Sequence, residues 1–159
     1  MKRHYRVQWS FVLACLAGLL ISCRDATAPG RLGRLEFLAR ISKTSVPVGE
    51  SASLEFVIRN PTSETIRVNT SCGVIQTYIQ EFFASEPLIT WPQGCLTVAF
   101  FTDLAPGAEY VQRVLVIGGP PDPLVNMTPG TFFLDVGGYK AYAKMAQTKT
   151  NTLQFVVVQ

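Results

Sequence analysis

The strongest constraint on what this chain can fold into is a two-residue rhythm of apolar side chains. RLEFLARI sets Leu35, Phe37, Ala39 and Ile41 to one side, SLEFVIR sets Leu54, Phe56 and Ile58, and TIRVN sets Ile66 and Val68. Side chains alternate across a strand, so this rhythm predicts strands with one face buried. The intervening VPVGE (46–50) and NPTSE (60–64) carry turn chemistry: proline fixes φ, glycine admits positive φ, and Asn and Ser bond to nearby backbone. LTVAFF, EYVQRVLVI, TFFLDV (Phe132, Leu134, Val136) and TLQFVVV (Leu153, Phe155, Val157) continue the pattern. GGPPDP, Gly118 to Pro123, cannot be a central strand, because its prolines lack ladder donors. About eight strands at this spacing, with no long amphipathic helix, predict an all-β sandwich or barrel.

One segment fits two periods. In VIQTYIQEFFAS, Ile75, Ile79, Phe82 and Phe83 have helical spacing, yet the composition is that of a strand. A strand is favoured over a helix for residues 74–85, because two flanking cysteines and Pro87 suit a hairpin.

The first residues follow other rules. Lys2, Arg3 and Arg6 precede the uncharged run FVLACLAGLLI, Phe11 to Ile21. A positive start and an apolar run of roughly 7–15 residues make a secretory signal peptide, whereas a spanning helix needs about 17–25. The run ends Leu20-Ile21-Ser22-Cys23, which resembles the lipobox of bacterial lipoproteins. The resemblance implies cleavage before Cys23 and acylation of its thiol and new amino group. Residues 1–22 are then a signal peptide helix, 23–33 a lipidated cysteine and short polar tether (RDATAPGRLG), and 34–159 one β-domain. Localisation to the bacterial cell envelope follows, anchored to a membrane by lipid. The residue after Cys23 is Arg24 rather than an inner-membrane-retaining Asp, so the outer membrane, on the periplasmic side, is favoured in a host with two membranes.

Removing the signal changes what chemistry is available. The chain's 14 Lys and Arg against 11 Asp and Glu become an even balance, which leaves no electrostatic footprint for nucleic acid. His4, the sole histidine, leaves too, and with it Ser-His-Asp or Cys-His catalysis and histidine-ligated metal sites. Cys72 and Cys95 are left to pair as a disulfide in an oxidising compartment. No cofactor motif is present, and the carboxylates are scattered without calcium-loop spacing.

The body has a resemblance of its own. GESASLEFVIRNPTSETIRV, LAPGAEYVQRVLV and TPGTFFLDV, with Phe132 in an aromatic position, resemble bacterial immunoglobulin-like domains of the BsuPI-type proteinase inhibitor kind. This implies a single immunoglobulin-like antiparallel β-sandwich and, for the family's namesake, inhibition of a serine protease.

Three groups of residues are candidates for contact. Tyr78, Phe82, Phe83 and Trp91 are a candidate binding surface or, alternatively, core filling and edge cover. Pro120 to Pro123 form either a stiff protruding loop or a plain crossover. Lys140, Lys144 and Lys149 guard a strand edge or, alternatively, meet lipid headgroups. The function expected is a non-catalytic envelope module that binds an unknown protein or envelope component. The alternative is a protease inhibitor.

Overall fold

The computed structural model describes residues 33–95, 98–121 and 128–159. The expected signal helix, lipidated Cys23 and most of the tether lie outside them, as do Asp122 and Pro123.

Twelve strands follow in order: β1 (Glu36–Ile41), β2 (Ser45–Pro47), β3 (Ser51–Arg59), β4 (Ile66–Asn69), β5 (Ile75–Glu81), β6 (Ile89–Trp91), β7 (Phe101–Leu104), β8 (Glu109–Gly118), β9 (Thr131–Leu134), β10 (Gly137–Met145), β11 (Thr148–Lys149) and β12 (Leu153–Val158). Over the described residues the architecture is all-β and sandwich-like, with no closed barrel. One sheet runs β1-β3-β8-β9, the other β2-β12-β10-β5-β6 with β11 on β10, and β4 and β7 form a separate ribbon.

The alternation sets the core. Leu54, Phe56 and Ile58 from β3 meet Ile79, Ala141 and Phe155 from the opposite sheet in one cluster spanning Leu35 to Val157. Among the described residues no buried side-chain nitrogen or oxygen lacks a partner. Val57 is buried on the outer face of β3, in a row with Leu38 and Val111.

The registers define two ends. Glu36 pairs with Arg59 and Arg59 with Glu109, while Met145 pairs with Ile75. β2 runs parallel to β12, and the Asn151 amide bridges both backbone groups of Ala39 in β1 (2.7 and 3.0 Å). The start of β1, the end of β3, the starts of β5 and β8 and the β10–β11 turn therefore share one end, the near end, where the preceding chain enters. The β4–β7 ribbon closes it, because β4 joins β3 to β5 and β7 leads into β8. The far end holds the ends of β5 and β8 and the start of β10, with Gly118 bridged to Val48.

The strand count exceeds the expected eight because short strands escape period counting. The first strand breaks at 42–44 so that β1 and β2 join different sheets, and the last hairpin breaks into β11 and β12. Nor is pairing wholly antiparallel: β2–β12 and β8–β9 are parallel. Of residues 74–85, expected as strand, 75–81 are strand, while 74 and 82–85 lie outside it. Val136 is 54% exposed, contrary to its expected inward face, because β9 stops at Leu134. LTVAFF is not a strand over its described residues before Phe101, and Val98 and Phe100 are exposed.

Candidate functional site

Of the four aromatics expected to share a surface, Phe82 and Phe83 stay together while Tyr78 and Trp91 go elsewhere. Trp91 pairs with Thr77, packs against the core and lies over Gly130, where an added Cβ would sit 3.2 Å from its ring. Its role is core and edge cover. Tyr78 turns outward, because Thr77 and Ile79 take the inner positions of β5. Phe82 and Phe83 follow β5 at the far end.

There they border a notch lined by Glu81, Phe82, Phe83, Asp135, Val136, Gly137, Gly138 and Tyr139, enclosing about 230 Å³. The Phe82 ring lies on Gly138, where an added Cβ would meet it at 2.5 Å. The backbone of Phe82 is held from both sides: its N–H donates to Gly138 O (2.9 Å), and Lys140 Nζ donates to its carbonyl (2.8 Å). This fixed base presents Phe83, which is 102% exposed, beside exposed Val136. Behind them the buried Tyr139 hydroxyl donates to Asp135 O (2.8 Å). Burial, and then the charges of Glu81 and Asp135, push the Tyr139 phenol above its ordinary value, so it remains a donor across the neutral range.

A second constellation covers the outer face of the β10 sheet. Tyr142 stacks on Tyr78 across the strands (5.1 Å between centroids, 19° between planes). Lys149 Nζ stands 3.8 Å from the Tyr142 centroid, and Lys144 Nζ 5.4 Å from that of Tyr78. The alternate positions Lys140, Tyr142 and Lys144 were a legible signal for this face, once β10 is read for its outer rather than its inner residues. Lys144 and Lys149 are directly opposed across β10 and β11, where like charges repel. Neither has a carboxylate partner among the described residues.

The other sheet's outer face differs. Arg40 grips Glu109 with two bonds (3.1 and 2.8 Å), Arg113 bonds Glu55 (2.9 Å), and Arg59 bonds Glu36 (3.5 Å). The bonds from Arg40 hold the Glu109 carboxyl below its usual range.

At the near end Cys72 and Cys95 form the expected disulfide, with Cys95 Sγ against Gly73. Gln76, which pairs with Lys144, donates to Gly73 O (3.1 Å). Phe100 is tied to the same corner: its N–H donates to Ser71 Oγ (2.7 Å), and its carbonyl accepts from Thr70 N–H (2.9 Å). Among the described residues no cluster of His, Cys, Asp and Glu is suited to hold a metal.

No family model matches the chain and no curated protein does. Among solved structures it is similar to part of a β-glucosidase from Erythrobacter marinus (TM-score 0.44, 18% identity, 78% of this chain and 16% of that one). It is also similar to part of the alkylpurine DNA glycosylase AlkC of Pseudomonas fluorescens (TM-score 0.45, 9% identity, 91% of this chain and 33% of that one). A CARDB domain from Pyrococcus furiosus is similar over 86% of this chain and 100% of its own length (TM-score 0.39, 15% identity). The chain spans about a sixth of the glucosidase's length. At these scores the likenesses carry no argument about activity.

Proposed function

We propose that this chain is a lipid-anchored, non-catalytic cell-envelope module of immunoglobulin-like type, and that it binds a protein or envelope component through its far end. Three features support the immunoglobulin-like part. β1-β3-β8 oppose β2-β12-β10-β5-β6. β2 pairs in parallel with β12. Near the start of the central strand β10, Tyr139 bonds the backbone of a residue shortly upstream, as in the tyrosine corner of such domains. The lipobox resemblance at Cys23 supports the anchor.

The observation that carries the binding role is Phe83. Phe83 is wholly exposed and sits on a held backbone beside exposed Val136 and a notch, an apolar patch rather than a lone side chain. Burying a phenylalanine in a partner is worth about 1.5–3 kcal/mol. Cross-linking from intact envelope, followed by affinity measurement on the captured partner, should show at least a roughly tenfold loss for Phe83→Ser. The thermal melt should be unchanged, since Phe83 makes no core contact. Undiminished affinity would remove Phe83 from the site.

BsuPI-like protease inhibition is the second reading. Gly119, Pro120 and Pro121 leave β8 at this same far end, where a stiff loop could enter a protease cleft. A serine protease panel separates the two, since inhibition abolished by changes at Pro120 and Pro121 belongs to this reading alone.

A further inference from the structure

The near end of the domain combines three properties that the proposed partner-binding role does not use. β1, the first described strand, begins here. Two lysines here, Lys144 and Lys149, have no carboxylate partner among the described residues. The corner beside them exposes Val98 (53%), Phe100 (61%) and Phe101 (40%).

We propose that this end rests on an anionic phospholipid surface, with Lys144 and Lys149 on the headgroups and Val98 and Phe100 at the acyl boundary. The proposal rests on the lipid-anchor reading, because acylation at Cys23 sets the bilayer close by. Ten residues between Cys23 and Arg34 reach at most about 35 Å when extended.

Charge complementarity favours headgroups over a neutral partner. The nearby carboxylates are already answered: Glu36 by Arg59, Glu64 by Arg34, and Glu109 by Arg40. Lys144 and Lys149 are left as an opposed like-charge pair, an arrangement that costs stability until an anion lies between or beneath the two. Tyr78 and Tyr142 hold both ammonium groups in place, so little side-chain freedom is lost on docking. The exposed apolar residues favour a bilayer over a soluble polyanion, which has no apolar layer to receive Phe100. Arg67 over the Phe101 ring (5.1 Å) lies on the same rim but is itself answered by Asp103 (3.9 Å), so the unanswered charge there is that of the two lysines.

The test uses the lipid-free chain beginning at Arg24, which retains the whole core, with vesicles of phosphatidylcholine alone or mixed with phosphatidylglycerol. Binding should require the anionic lipid, weaken with added salt, and fall roughly 25-fold in Lys144→Gln/Lys149→Gln, about fivefold per lysine. Phe100→Ser should weaken binding independently, and Phe83→Ser should leave it unchanged. Equal uptake by neutral vesicles overturns the proposal. So do full binding by both near-end variants, and capture by a soluble anionic polysaccharide with no uptake by vesicles. The anchor itself is tested separately, by the mass of the Cys23 peptide from membrane-extracted protein, so the two can fail independently.

Discussion

Asn60 has no solvent exposure, and both ends of its side chain are used. Its Nδ2 has two hydrogens, directed at Glu64 O (2.7 Å) and, shared, at Leu104 O (2.8 Å) and Ala105 O (3.2 Å), while Oδ1 accepts from Thr62 N–H (3.1 Å) and Thr62 Oγ1 (2.7 Å). One amide thus ties the end of β3 to the end of β7 and closes the near end. Asn60→Ala leaves buried carbonyls without a donor and should cost about 2–4 kcal/mol in denaturant unfolding. Tyr139 acts similarly at the far end, and its effect depends on pH. Its phenol is raised in the folded state above the unfolded value of about 10. Its stabilisation is therefore full below pH ~10 and is lost as pH rises through the higher folded value. Tyr139→Phe should cost about 1 kcal/mol at neutral pH, from the lost bond to Asp135 O. Its melting temperature should fall less steeply than that of the natural chain as pH passes about 10. Neither residue's role stands out in the sequence. Asn60 before Pro61 looks like ordinary turn chemistry, and its distant partners Leu104 and Ala105 become neighbours only once the β4–β7 ribbon exists.

The β5–β6 hairpin is the element that the sequence described best. Its strand character, its cysteine pair and a turn near Pro87 were all legible, because period two, cysteine arithmetic and proline act locally. Its aromatic residues were not. Tyr78, the Phe82–Phe83 pair and Trp91 go to three different environments, since an outer face, the turn after β5 and an edge each follow from pairing with other strands. The same limit explains Val136 and LTVAFF, where apolar runs outlast the strands that would bury them. The disulfide closes the hairpin across a separation of 23 residues, which the chain-entropy model values at roughly 3 kcal/mol. Cys72→Ala/Cys95→Ala should lower unfolding free energy by about that amount, and reducing agent should do the same to the natural chain but nothing further to the variant. Because Cys95 also holds the corner that carries Phe100, the double variant should lose vesicle binding before it loses its fold, as seen by comparing sedimentation with the thermal melt.

At the scale of the whole molecule the sandwich separates two surfaces by the length of its strands. Gly138, under Phe82, and Lys144 lie at opposite ends of β10, six residues and so roughly 20 Å apart. The body between them is a packed core in which Phe56, Ile79 and Phe155 are almost wholly buried, and the bridge from Asn151 to Ala39 ties the two layers. This much was foreseeable in kind: alternation implies two faces per sheet, and a sandwich has two ends. Which end meets the tether was not, because it depends on the handover from β1 to β2 between sheets. If the near end lies on lipid, the strands stand away from the bilayer and hold Phe83 outward, toward whatever passes above. A rigid body should then transmit no coupling between the two contacts. On vesicle-bound protein, Phe83→Ser and Lys144→Gln/Lys149→Gln should therefore act additively within about 0.5 kcal/mol, as expected for sites more than 7–10 Å apart with no shared partner. A double-mutant cycle should find each variant weakening its own contact by the same factor whether or not the other is present. A coupling larger than this would mean that partner and membrane compete for one surface, and that the lysine and tyrosine face, rather than Phe83, is where the partner sits.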